Sequence, residues 1–328
     1  MAAKRSIKRS TTKKTAARGA KKAVAKKGKA VKAAAAKRAK PAAPRKAPAK
    51  RPAAKKIAAP KVAAKAPKAS KAAAPTRSRF VWVDLMTSDV ASAQSFYKTL
   101  FGWGTKDVDV APPMNKYTMF NTGGQEFGGV LPKQDPNTPT SWLPYVLVDD
   151  VDKVTTRAAE LGGKVLMPAM DIPDVGRFSV IMDPTGGVLS PMSFVQEPRP
   201  APPAGLYGPV AWCELFTDDV NKAGAFYSDL FGWTRTAGPT DKYVVFKRGD
   251  RDAGGLGTRP PGSPPAMWVT YFFTQDVDVT HTNAMGKGAK EVVPPSDIPN
   301  VGRFSWLADP QGAIFALFNP KGMPPPSA

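Results

Sequence analysis

The chain has 328 residues and a formal net charge of +22, with one Cys and one His. The charge is segregated: 28 Lys and Arg lie between Lys4 and Arg79 and no acidic residue precedes Asp84, which leaves 20 basic against 26 acidic residues, a net −6, in the remainder. A lone Cys excludes an intramolecular disulfide, and no apolar run reaches membrane-spanning length or forms a signal-peptide core.

The first element is a tail, residues 1–78, built from Ala, Lys, Arg and Pro without any Phe, Tyr or Trp. Such a segment buries too little apolar area to offset its ordering entropy, so disorder is expected. Prolines 41, 44, 48, 52, 60, 67 and 75 exclude one long helix over its second half. Its composition resembles that of linker-histone tails and reads as an arm for nucleic acid or another polyanion. A transit peptide is the competing reading, against which Lys outnumbers Arg.

From residue 79 onward the elements repeat. A strand over 80–87 is followed by a helix capped by Ser88 or Asp89, with Ala93, Phe96, Tyr97, Leu100 and Phe101 at helical spacing and Gly102 ending it. Short strands follow near 105–110, 116–122 and 127–132. A second module opens with a strand at 142–148. Asp150 then caps a helix carrying Val151, Val154, Ala158 and Leu161, stopped by Gly162-Gly163, and strands at 164–168, 177–182 and 187–194 close it. The turn before the last strand is Asp183-Pro-Thr-Gly186.

The second copy repeats this pattern. Residues 171–186 match residues 297–312 at eleven of sixteen positions, an offset of 126 that also relates Tyr117 to Tyr243, Gly128-Gly129 to Gly254-Gly255 and Trp142 to Trp268. Near each start the offset is 130, pairing Trp82 with Trp212 and Phe96-Tyr97 with Phe226-Tyr227. A repeat this long is a pair of domains, expected at 79–197 and 207–321, with a Pro-rich linker at 198–206 and a disordered end at 322–328.

A strand, then a helix ending in Phe-Tyr and Phe-Gly-Trp, with an Asp-Pro-x-Gly turn before the final strand, resembles the vicinal-oxygen-chelate (glyoxalase/bleomycin-resistance) family. The resemblance implies an α+β fold of tandem glyoxalase-like domains, each made of two paired βαβββ modules curled around a cavity. Family members place a divalent metal there, usually held by His and Glu. The first ligand position, seven residues before the capping Asp, is Trp82 or Trp212. The last, seven after the Asp of the turn, is Ser190 or Ala316. A second-module ligand would fall near Leu143 or Val269. None is a plausible ligand for a catalytic divalent site, so neither a metal nor another cofactor is expected.

In place of the metal, an aromatic pocket is expected: Trp82, Asp84, Tyr117, Trp142 and Tyr145 in the first domain, and Trp212, Glu214, Tyr243, Trp268 and Tyr271 in the second, with Phe178 and Phe304 nearby. The same rings would also serve as plain core. Arg177 and Arg303 would anchor an anionic ligand group or pair with Asp171 and Asp297. Asp84 and Glu214 would be weak single-carboxylate sites or buried hydrogen-bond acceptors. Cys213 reads as an inert buried thiol, and His281 as a helix residue that leaves no Ser-His-Asp or Cys-His set.

Three function classes follow. The first is a metal-independent binding module for a small molecule, with a nucleic-acid-binding tail. The second is an enzyme of the glyoxalase superfamily (lyase, isomerase or hydroxylase-like) with Asp84, Glu214 or Glu126 as general base and no catalytic set identified. The third is a nucleoid-associated interaction protein. The expected setting is cytoplasmic, with nucleoid association under the third class, and no membrane partner is expected.

Overall fold

The computed structural model describes residues 77–110, 115–196, 209–261 and 265–322. The basic tail up to residue 76, the Pro-rich linker at 198–206 and the last six residues, with the expectations placed on them, lie outside the described residues.

The expected order of elements is present twice. The first half runs β1 (Arg79–Thr87), α1 (Val90–Phe101), β2 (Gly104–Asp109), β3 (Lys116–Thr122), β4 (Gln125–Pro132), β5 (Ser141–Leu147), α2 (Val151–Glu160), β6 (Lys164–Ile172), β7 (Gly176–Met182) and β8 (Val188–Phe194). The second runs β9 (Val210–Thr217), α3 (Val220–Phe231), β10 (Thr234–Ala237), β11 (Tyr243–Arg248), β12 (Arg251–Thr258), β13 (Met267–Phe273), α4 (Val277–Gly286), β14 (Lys290–Ile298), β15 (Gly302–Ala308) and β16 (Ile314–Pro320). Each half forms one eight-stranded mixed sheet, ordered β2-β3-β4-β1-β5-β8-β7-β6 and β10-β11-β12-β9-β13-β16-β15-β14. The strands β1 and β5, or β9 and β13, pair antiparallel at the centre and join the two modules.

Local chemistry explains the boundaries. The Asp89 carboxylate accepts the Ser92 amide at 3.0 Å, and Gly102 closes α1 in the left-handed region at φ 73°. Asp150, Asp219 and Asp276 cap the other helices in the same way. One boundary differs from expectation: β6 continues past Pro168 to Ile172. It lies at the sheet edge, where a missing N–H costs no ladder bond, and its register shifts on either side of Met167.

Period-two alternation divides every strand between two faces. On the helix face of the first sheet, Val83 and Leu85 pack with Ala93, Phe96 and Tyr97 of α1. The helix faces of the two sheets meet and share one buried cluster: Phe96 lies 6.1 Å from Phe315, and Trp103 4.9 Å from Phe272, between ring centres. Each fully buried side chain of this kind contributes about 1.5–3 kcal/mol.

Two reciprocal hydrogen bonds tie the halves together. Tyr97 Oη donates to Asp309 Oδ2 at 3.0 Å, and Tyr227 Oη donates to Asp183 Oδ2 at 2.8 Å. The acceptors belong to the Asp-Pro-x-Gly turns. The other oxygen of each carboxylate serves its own turn, accepting the Thr185 and Gly186 amides in one half and the Gln311 and Ala313 amides in the other.

Candidate functional site

The face of each sheet turned away from the helices carries a second, smaller apolar cluster. In the first domain it contains Leu143, Tyr145 and Met192, with Trp82, Met86, Phe178 and Val180 half-buried against them. In the second it contains Val269, Tyr271, Trp306 and Ala316, with Trp212, Phe216 and Phe304 half-buried.

A carboxylate sits at the centre of each cluster. Asp84 is 6% exposed. Its Oδ1 accepts Tyr117 Oη at 2.6 Å and Trp82 Nε1 at 3.0 Å, and its Oδ2 accepts Tyr145 Oη at 2.8 Å. Glu214, 5% exposed, accepts the hydroxyls of Tyr243 and Tyr271. Trp212 Nε1 donates to Tyr243 Oη at 2.7 Å, and Trp306 Nε1 donates to Tyr271 Oη at 2.6 Å. Burial raises the Asp84 carboxyl above its usual range against the lowering effect of its three side-chain donors. For Glu214 burial dominates more strongly and pushes the pKa up to about 7.

The paired glycines make these clusters possible. Gly129 and Gly255 lie within β4 and β12, next to the central strand. A Cβ on Gly129 would lie 2.0 Å from Tyr117 Oη and 2.6 Å from Asp84 Oδ1; on Gly255 it would overlap Tyr243 Oη and lie 2.7 Å from Trp212 Nε1. The tyrosine therefore crosses a bare stretch of backbone to reach the carboxylate, a use of glycine that only the Gly-Gly repeat signalled.

The structure thus brings together Trp82, Asp84, Tyr117 and Tyr145, and likewise Trp212, Glu214, Tyr243 and Tyr271. It does not bring Trp142 or Trp268 to them, and that expectation is corrected. Trp142 is opposite Leu85 in the ladder and faces the helices, where its Nε1 donates to Tyr97 Oη at 3.0 Å; Trp268 does the same with Tyr227. Trp142 and Tyr145 are three residues apart on one strand, so alternation sends them to opposite faces.

Of the two readings left open for Arg177 and Arg303, the structure shows the pairing with Asp171 and Asp297. Arg177 is held by Asp152 and Asp171 at 2.7 and 2.8 Å, and Arg303 by Asp278 and Asp297 at 2.6 and 3.0 Å. Each guanidinium already has its anions, at the surface and supplied by the adjacent helix and strand. Glu126 is likewise paired, with Lys106 at 3.3 Å. His281 is buried in α4 with Nε2 3.0 Å from Glu291. Cys213 is fully buried on the helix face, and burial pushes its thiol well above the usual range.

A missed site residue is Trp306. It is two positions beyond Phe304, hence on the same face, and its counterpart in the repeat is Val180.

The positions at which the resemblance places metal ligands all lie on this face. They present Trp82, Leu143 and Ser190 in the first domain and Trp212, Val269 and Ala316 in the second. Among the described residues no group of three or more His, Cys, Asp or Glu could hold a metal ion. The one carboxylate in each cluster is already surrounded by O–H and N–H donors, whose hydrogens oppose a cation. These residues do not fit a divalent centre.

Comparisons with known proteins agree with this architecture. The model of the Glyoxalase/Bleomycin resistance protein/Dioxygenase superfamily matches residues 79–189 and 210–317. The chain is similar to the protein named "Putative glyoxylase CFP32" of Mycobacterium tuberculosis, 38% identical over 246 residues, covering 73% of this chain and 94% of that protein. It is also similar to the anthracycline biosynthesis protein DnrV of Streptomyces peucetius, 33% identical over 258 residues, covering 72% and 91%. Among solved structures, the Mn(II)-bound glyoxalase from Novosphingobium aromaticivorans aligns with TM-score 0.52 at 16% identity, over 75% of this chain and 82% of that one. An extradiol ring-cleaving dioxygenase from B. fuscum aligns with TM-score 0.54 at 15% identity, over 77% and 74%. These structural likenesses concern the fold.

Proposed function

The chain belongs to the Glyoxalase/Bleomycin resistance protein/Dioxygenase superfamily, and from that premise we propose that it is a metal-independent binding protein for a small molecule, received on the carboxylate–tyrosine face. One observation carries the reading: the positions that would ligate a metal face the site and bear Trp, Leu and Ser in one domain and Trp, Val and Ala in the other. What remains is an aromatic surface with a few convergent polar groups, the composition a small-molecule site needs.

The test is elemental analysis and native mass spectrometry of protein purified without added metal. The expected result is no stoichiometric divalent metal and, where a ligand co-purifies, an organic adduct. About one Mn, Fe, Ni or Zn per domain overturns the reading.

Glu214 favours a second reading. A carboxyl with a pKa near 7 is matched to general-base work at neutral pH, and the superfamily includes enzymes. Against it, both oxygens of Glu214 are engaged by tyrosine hydroxyls, so a proton acceptor is exposed only if a tyrosine moves aside.

The basic tail supports a separate role in binding nucleic acid or another polyanion. With 28 cations up to Arg79 and no acid before Asp84, affinity would come from counterion release and be indifferent to sequence. If about ten phosphates are contacted, the slope of log affinity against log salt on duplex DNA should be on the order of −9. Salt titration of the full chain and of a chain lacking residues 1–76 on two unrelated duplexes tests this. Binding should vanish with the tail; tight binding by the truncated chain overturns the role.

A further inference from the structure

The two site faces are built on one plan but are not equally filled. Across the repeat, Asp84, Met86 and Val180 of the first domain become Glu214, Phe216 and Trp306 of the second. Each change adds volume to the same face. Trp306 is 1% exposed, lies edge-on to Phe216 with ring centres 4.4 Å apart, and donates its indole N–H to Tyr271 Oη. Val180, at the equivalent place in the β7–β8 hairpin, is half-buried and has no donor to offer Tyr145.

The second domain therefore supplies from β15 a large aromatic donor at the place where the first has the smaller, apolar Val180. Resting on the reading that this face binds small molecules, we infer that the first domain is the ligand-receiving one and that it takes a planar aromatic compound carrying an N–H or O–H donor. The donor reaches Tyr145 Oη as Trp306 Nε1 reaches Tyr271 Oη, and the ring packs against Met86 and Phe178. The tyrosine can accept because its own proton is committed to Asp84 Oδ2 at 2.8 Å. The carboxylate thereby orients the hydroxyl for ligand recognition, and Trp82, likewise committed to Asp84 at 3.0 Å, forms a fixed wall. The second domain is the occupied copy, its aromatic occupant supplied by β15.

The probe is indole, with 1-methylindole as the same ring without the donor, titrated calorimetrically into full-length protein in chelator-treated buffer. Wild type is expected to bind one indole per chain and 1-methylindole at least tenfold more weakly. Val180→Trp, which gives the first domain the second domain's own side chain, should weaken indole binding at least tenfold. Met86→Phe, a milder change toward the second domain, should weaken it in the same direction should Val180→Trp fail to fold. Trp306→Val should create a second indole site, as apolar cavities opened by truncation accept small aromatic ligands. Unchanged binding in Val180→Trp and Met86→Phe, two equivalent sites in wild type, equal affinity for the two probes, or no indole binding in chelator-treated buffer overturns the inference. Binding to wild type that appears only on adding a divalent metal additionally overturns the metal-independent reading; metal-free binding assigned to the second domain overturns the inference alone.

Discussion

The first and second domains share sheet order, helix caps and a carboxylate held by two tyrosines, yet the polar centres differ in reach and company. In the first, a short Asp side chain accepts from Trp82, Tyr117 and Tyr145. In both, the Trp of the central strand also donates to a tyrosine, Trp82 to Tyr117 at 2.9 Å and Trp212 to Tyr243 at 2.7 Å, but the second has a Glu one methylene longer and adds Trp306 as a donor to Tyr271. One fold can thus keep a buried carboxylate while changing the size of the side chains around it, Met86 and Val180 in one domain and Phe216 and Trp306 in the other. The chain of hydrogen bonds in the second domain is longer, so its members depend on one another more.

Deleting one hydroxyl in each domain should separate the two most strongly. Tyr145→Phe removes one donor from Asp84 and should cost about 2 kcal/mol in stability. Tyr271→Phe removes a donor from Glu214 and also strands the buried indole N–H of Trp306, so it should cost about 4 kcal/mol. Denaturant unfolding measures both; equal losses would show that the longer chain confers no extra dependence.

A smaller effect, about 3 kcal/mol, separates the domains by pH. Burial raises Glu214 from 4.5 to about 7 in the folded protein, so between those values the folded state binds the proton more tightly than the unfolded chain. Its contribution is complete below about pH 4.5 and is lost as pH rises through about 7. Asp84 is shifted in the same direction. Stability should therefore fall from pH 5 to pH 8, and Glu214→Gln, which is neutral at every pH, should flatten most of that fall. A decline that survives Glu214→Gln would move its origin to Asp84 or elsewhere.

Much of the architecture was legible in the sequence because its signals are local. Asp89, Asp150, Asp219 and Asp276 announce helix starts, Gly102 and Gly232 announce ends, and the offset between copies checks each assignment against the other. Tyr145 and Asp84 were legible as candidate site residues because their positions recur, aromatic and acidic, in otherwise apolar strands. Trp142 was misplaced because composition was allowed to outweigh parity: an odd spacing from Tyr145 already put it on the other face. Trp306 was overlooked because a repeat draws attention to what is conserved between its copies, whereas this residue matters by differing. The two Arg residues needed three dimensions, since Asp152 and Asp278, one partner of each, are 25 positions away in sequence. For a similar reason the Gly-Gly repeat marked the cradle at Gly129 without showing what fills it: the atom it accommodates belongs to Tyr117 on a neighbouring strand.

The crossed contacts of Tyr97 with Asp309 and of Tyr227 with Asp183 have a consequence in symmetry. Exchanging the halves exchanges the two bonds, so each half presents the same donor and the same acceptor, as in an isologous dimer of identical subunits. Such a contact is self-complementary and would serve two copies of a single half equally well. In a homodimer, however, any substitution strikes both subunits at once, and a Val in one half could not coexist with a Trp at the same place in the other. Joining the halves in one polypeptide lifts that restriction. Val180 and Trp306 can then diverge while the shared contact that holds the pair together stays fixed.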